Sequence, residues 1–441
     1  MDLGPLDTTV SILVSHDRGE TWWKLAEVAL VEEYYRWNVP SGYAEARLGV
    51  LFHRTDARGS IQELRLAESA DITIAPSNKQ SYAWEQVAVD APFGPRDGAG
   101  GIVHDGKMWL VGGWNPERFP LQCANDVWSS VDGAKWTMEK PNTFLDAATF
   151  DKKSDWEGRH FGGYHAFDGK MWIVGGDPNQ GYYQTDVWSS TDGRKWVRTD
   201  KHTVTPRMNE AGEPYPASEW RPVEESQFGL RTSHITGVFD RKLFVMGGQR
   251  IGIFVNPNWP GRPSTAFDDV WTSTDGASFD QVKTSPPMWS PRGYVSEAPE
   301  HLGRMWIVGG GLHDDAPAGR PDREYKNDVW STADGRSWAQ TVEEPPFSPR
   351  IWHNVKAFDG RLWLINGYDG NLPGKGRLAD NRSDVWYTAD GRNWYSAQPP
   401  DSFVGRHAGT AWVHRDALYV GSGNAIFNKW HSDVWRLKRS N

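Results

Sequence analysis

From Tyr82 onward the chain alternates short apolar runs with tight polar turns, and no helical period is sustained. Met108-Trp109-Leu110-Val111, Met171-Trp172-Ile173-Val174, Leu243-Phe244-Val245-Met246, Met305-Trp306-Ile307-Val308, Leu362-Trp363-Leu364-Ile365 and Leu418-Tyr419-Val420 are strand-length runs. Each closes on Gly-Gly or a near relative such as Asn366-Gly367 or Gly421-Ser422-Gly423. The tripeptide Asp-Val-Trp follows each run, starting at Asp126, Asp186, Asp269, Asp328, Asp384 and Asp433. After the first five comes a second turn and an aromatic, as in Asp132-Gly133 to Trp136 and Asp192-Gly193 to Trp196. Asp-Gly between two strand-like runs is a strong hairpin signal, because glycine supplies the positive φ the turn needs. Each repeat therefore predicts four strands: a, b ending in Gly-Gly, c carrying Asp-Val-Trp, and d carrying the last aromatic.

The sixth repeat stops at Asp433-Val434-Trp435-Arg436-Leu437 and lacks its own d strand, while Tyr82-Ala83-Trp84-Glu85-Gln86-Val87 has the d pattern ahead of the first repeat. Residues 82–88 are thus expected to complete the last unit and close a ring without free edges. Residues 1–76 fall outside the repeat. Val10 to Val14, Tyr35 to Pro40 and Ala46 to Val50 alternate like sandwich strands. The stretch Ser15-His16-Asp17-Arg18-Gly19-Glu20-Thr21-Trp22 matches an Asp-box, a structural hairpin turn. The expected layout is a β-sandwich at 1–76, a linker at 77–81 and the closed array at 82–441, with the sandwich about one strand short at its start.

The Gly-Gly, Asp-Val-Trp and Asp-Gly-x-x-Trp series resembles kelch repeats, in the superfamily that includes the galactose oxidase propeller. The resemblance implies an all-β fold, a six-bladed kelch-type β-propeller over 82–441. The N-terminal stretch resembles the fibronectin-type or Ig-like modules of bacterial extracellular proteins, which favours an extracellular or periplasmic setting over the cytoplasm. The oxidase's copper-radical site needs a Cys–Tyr cross-link with Tyr and His ligands. Cys123, the single cysteine, has no matching partner motif, so that cofactor is not expected.

Composition narrows the partners. With 26 Trp and 46 Gly the chain suits many short strands, and its net charge of −9 argues against nucleic acid. One cysteine permits no internal disulfide. No stretch is long and apolar enough to span a membrane, and the first residues lack the basic and apolar regions of a signal peptide. A closed array needs no partner copy, so a monomer is expected.

Strand parity places the functional face. The a–b and c–d turns are all tight, whereas the length variation falls in b–c connections (249–268, 311–327, 368–383) and d–a connections (139–158, 199–230) on the opposite face. An arginine precedes every a strand there: Arg96, Arg159, Arg231, Arg292, Arg350 and Arg406. They are expected either to ring the channel mouth and bind an anionic ligand, or to pair with a neighbouring Asp as a repeat feature. His160, Tyr164, His234, His353 and His407 follow them and are candidate acid–base groups; the histidines could also hold a divalent metal. Among the aromatics of this face, Trp114, Tyr182 and Trp352 are the candidate ligand platforms.

Together these features predict a carbohydrate-binding or carbohydrate-active protein acting on an acidic oligo- or polysaccharide. The sharpest version is a uronate lyase, in which arginine neutralises the carboxylate and a His or Tyr removes the α-proton. The alternative is a non-enzymatic interaction module that reads an acidic protein segment. The sequence leaves catalysis itself open.

Overall fold

The computed structural model describes residues 9–15, 22–29, 45–55, 61–69, 72–73, 82–177, 184–205, 223–250, 264–313, 323–370, 381–397, 399–425 and 429–440. The described elements are all strands, and the chain divides into two compact units, Met1–Ser81 and Tyr82–Asn441. In the first unit the described residues form one five-stranded antiparallel sheet from Thr9–Ser15, Trp23–Ala29, Glu45–Thr55, Ile61–Glu68 and Ile72–Thr73. Among the described residues of this unit there is no second sheet of the kind a sandwich requires, and the Asp-box turn at 16–21 lies outside the described residues.

In the second unit each repeat forms a four-stranded antiparallel sheet. Sheet one is Gly100–His104, Lys107–Val111, Val127–Ser130 and Thr137–Lys140. Sheets two to five repeat this order, with first strands Gly163–Phe167, Ile235–Phe239, Glu300–His301 and Asn354–Phe358. Sheet six takes Thr410–His414, Ala417–Gly421 and Val434–Arg439 from the end of the chain, and its fourth strand, Tyr82–Ala88, from far upstream.

Local chemistry explains the turns. Asp132 Oδ1 accepts from the backbone N–H of Ala134 and Lys135, Ser130 Oγ accepts from Gly133 N, and Trp136 Nε1 donates to Gly133 O. The Asp bonds recur at Asp192, Asp334 and Asp390, and the indole bond recurs at Trp196 and Trp394. They pin the indoles of Trp136, Trp196 and Trp394 against the turn, and these rings and that of Trp338 are buried.

A second set of bonds joins the sheets. Gly113 N donates to Arg159 O, Gly248 N to Arg292 O, Gly310 N to Arg350 O, Gly367 N to Arg406 O, and Gly423 N to Arg96 O. Each links one sheet to the next, and the last links sheet six to sheet one. Glycine is required at Gly112 and Gly113, where φ is 62° and 112° and an added Cβ on Gly112 would stand 2.8 Å from Arg159 O. Between sheets two and three, His234 Nε2 donates to Val174 O, and His165 Nε2 contacts Thr236 Oγ1 at 2.7 Å.

Candidate functional site

The six arginines occupy one layer and have one job. Arg96 grips Asp126 with both terminal nitrogens, at 2.6 and 3.0 Å, and Nη1 also donates to Gly112 O. The pairs Arg159–Asp186, Arg231–Asp269, Arg292–Asp328, Arg350–Asp384 and Arg406–Asp433 repeat this bidentate geometry. The acceptor is the Asp of Asp-Val-Trp, which also accepts from the indole N–H two residues on, as Asp126 does from Trp128 at 2.8 Å. All six arginines are at most 2 % exposed. Of the two expectations for these arginines, the structure shows the pairing with an aspartate as a repeat feature: each guanidinium is a buried fork matched to a carboxylate and a carbonyl. The argument for an acidic ligand thereby loses its basis.

The mouth is built two residues after each arginine, by Gly98, Phe161, Ser233, Tyr294, Trp352 and Ala408. All six have left-handed φ, between 50° and 63°. Backbone bonds run from one to the next: Phe161 N to Gly98 O, Gly98 N to Ala408 O, Ala408 N to Trp352 O, Trp352 N to Tyr294 O, and Tyr294 N to Ser233 O, at 2.6 to 3.1 Å. All six line a cavity of about 70 Å3. Tyr164, Glu297 and Lys356 line both it and a second cavity of about 250 Å3, with Lys356 Nζ 2.7 Å from Glu297 Oε2. Carbon-bearing side chains held at φ near 55° are uncommon, and such strain gathers at working sites.

The candidate histidines divide. His234 and His353 line the smaller cavity, yet each donates Nε2–H to a carbonyl of another sheet, Val174 O and Val308 O, leaving Nδ1 as an unpartnered acceptor. Burial drives both down to about 3, so they stay neutral. Tyr164 lines the same cavity with an unpartnered hydroxyl, and burial raises its pKa. His160 and His407 lie behind the cavity. His160 Nδ1 is 2.6 Å from Asp177 O and 3.7 Å from Cys123 Sγ; His407 Nδ1 is 2.7 Å from Asn381 Oδ1. The five therefore do not converge as one acid–base set. Among the described residues no group of three or more His, Cys, Asp or Glu is placed to hold a metal.

Aromatic rings supply the continuity that the histidines lack. Trp430 meets Trp114 at 5.1 Å, Trp114 stacks on His160 at 5.7 Å, and His160 touches Phe161 at 4.3 Å. Phe161 stacks on Trp352 at 5.9 Å with planes 13° apart, and Trp352 meets His407 at 5.0 Å. The result is a horseshoe around the small residues Gly98 and Ala408, closed at its heel by the bridges of Asn424 to His407 and Trp430. Trp114, Phe161, Trp352 and Trp430 are all partly exposed. The indole N–H groups of Trp352 and Trp430 are buried and unpartnered.

Of the platforms read from sequence, Trp114 and Trp352 lie in this horseshoe, whereas Tyr182 falls outside the described residues. Phe161 was missed. The signal for Phe161 was its offset of two from the arginine, an offset it shares with Trp352. No family model matches the chain, and no curated protein matches it at a significant level.

Proposed function

We propose that the chain is a carbohydrate-binding protein whose site is the aromatic horseshoe at the mouth of a six-bladed, kelch-type propeller. On this reading the six four-stranded sheets are the blades, Tyr82–Ala88 closes the ring, and the N-terminal sheet belongs to an Ig- or fibronectin-like module. An extracellular or periplasmic setting goes with it. The observation that carries the proposal is the horseshoe itself. Partly exposed aromatic faces pack against the C–H faces of a sugar ring, and unpartnered indole N–H groups in their midst suit its hydroxyls. Uronate elimination is not part of this reading, because it needs a cation at the carboxylate and each of the six repeat arginines is held by an aspartate.

The test is calorimetric titration of the full chain with neutral, amino, N-acetylated and uronic oligosaccharides, beside Trp352→Ala. Binding of a member of the panel, weakened at least tenfold in the variant, supports the proposal. Silence across the panel overturns it and directs the search to a protein partner.

A further inference from the structure

The larger cavity has a register of its own. Seven residues after each arginine stand Val103, Ala166, Val238, Pro299, Ala357 and Val413, one from each repeat, and all six line it. They lie five residues beyond the mouth layer, about 16 Å along an extended strand. Ala166 is exposed, and Val103, Val238, Ala357 and Val413 are partly exposed, so the chamber is reachable from this rim. Its lining also holds a charged pair. Lys356 donates from Nζ to Glu297 Oε2 at 2.7 Å, and neither group has another partner among the described residues. The bond uses one of the ammonium protons and one carboxylate oxygen, and leaves the rest of both groups unused. At the position of Lys356 the other repeats carry Ile102, His165, Gly237, Ala298 and Trp412, and at that of Glu297 they carry Gly101, Tyr164, Thr236, Val355 and Ala411. The pair is therefore no framework contact. Five repeats do without it, and setting two charges in an apolar wall costs desolvation.

We infer that this chamber is a second binding site, for a free aliphatic amino acid that enters with its charged end first. The inference concerns the other cavity and does not rest on the carbohydrate reading. The volume of about 250 Å3 has room for roughly eight heavy atoms, the size of valine. The ligand carboxylate takes the ammonium protons that Lys356 has left, and the ligand ammonium takes the free oxygen of Glu297, each a charge-assisted bond. Its side chain then lies among the small apolar residues of the rim. Charge selects against simpler ligands. The lining carries Glu297 and the exposed Glu300 against Lys356, which disfavours a plain anion, while Lys356 itself repels a plain cation. His165 adds no charge at neutral pH, because burial holds it at about 4, and its Nε2 is already 2.7 Å from Thr236 Oγ1. A polyol carries hydroxyls on every side, and the Val, Ala and Pro walls offer them no partners. An aliphatic amino acid gathers its polar atoms at one end, as the chamber does.

The test is calorimetric titration of the full chain at neutral pH with L-valine, N-acetyl-L-valine, L-valinamide and erythritol. L-Valine is expected to bind with a Kd below about 1 mM, and loss of either charge to weaken binding at least tenfold, to the level of erythritol. These four titrations use the unmodified protein, so they decide the ligand class whatever a substitution does to folding. Ala166→Phe then locates the site. Ala166 is exposed, so the larger side chain fills the chamber from its rim without entering the core, and valine binding should fall at least tenfold with the Tm unchanged. Lys356→Met should give the same loss. No heat from valine overturns the inference. So does equal binding of the acetylated or amidated form, or of erythritol, because each removes the need for the charged pair. Valine affinity that survives Ala166→Phe overturns the placement in this chamber. None of these outcomes bears on the horseshoe, whose own panel decides the carbohydrate reading.

Discussion

Two layers of the second unit lie two residues apart in every repeat and behave in opposite ways. The arginine layer has the same residue six times, the same aspartate partner and the same glycine-rich carbonyl beside it. The mouth layer carries Gly98, Phe161, Ser233, Tyr294, Trp352 and Ala408 on one shared backbone conformation. Constancy marks the part that makes one sheet fit the next. Variation on a constant backbone marks the part that can be matched to a ligand. The aromatic members cluster with Trp114 and Trp430, and the small members Gly98 and Ala408 leave the space they surround.

The sharpest way to break this contrast is to cut one member from each layer. Arg159→Ala leaves Asp186 buried without its counter-ion, and should cost about 3–5 kcal/mol, read as a lowered denaturation midpoint. Glycan affinity of the fraction that remains folded should be unchanged. If Arg159→Ala instead removed binding from a fully stable protein, the layers would have been assigned the wrong way round. Trp352→Ala should do the reverse. Ala408 already adopts φ of 50° at the equivalent position, so the backbone accepts alanine there. Stability should fall by less than in Arg159→Ala, while binding loses more than about 1.4 kcal/mol, a factor of ten. Phe161→Ala, which removes the other half of the stacked pair, should weaken binding by a smaller factor of about 3–5, because Trp352 keeps its packing on Tyr294, His313 and His407.

How much of this could be read in the chain follows from which contacts are local. The Asp-Gly turns and the apolar runs depend on neighbours in sequence, and these segments form the hairpins of six four-stranded sheets. The arginine at the start of each repeat was equally visible, but its partner lies 27 to 38 residues downstream in Asp-Val-Trp, so pairing with an aspartate stood as one of two readings. The same six-fold recurrence that made the arginines conspicuous is what a scaffold contact produces. The horseshoe was legible only in part. Trp114 and Trp352 stood out as loop aromatics, whereas Phe161 followed a histidine in a glycine-rich stretch. Asp97 followed an arginine and preceded Gly98, which made it look like one more turn residue. Only the fold brings its backbone to Trp114 and its side chain to Asn424.

The smallest effect is the one that separates the layers by pH. His160, His234, His353 and His407 are neutral in the folded state, driven down to between about 3 and 4 from an ordinary value near 6.5. The unfolded chain binds more protons in that interval, so their contribution is complete above about pH 6.5 and is lost as pH falls toward 4. Asp186, Asp384 and Asp433 in the arginine layer are held below the usual carboxylate value, so their contribution fades only at still lower pH. Asp97 has the opposite sign. Its pKa is raised, so the folded state is favoured where the carboxyl is protonated and loses stability as pH rises through the folded value. Asp97→Asn should therefore raise the Tm of the ligand-free protein at neutral pH, by about 1–2 °C in a chain of this size, and leave it unchanged near pH 4. A variant that is less stable at both pH values would mean that the carboxyl holds the framework together. A gain confined to neutral pH would show that the buried carboxyl costs the folded state stability and is no part of the scaffold.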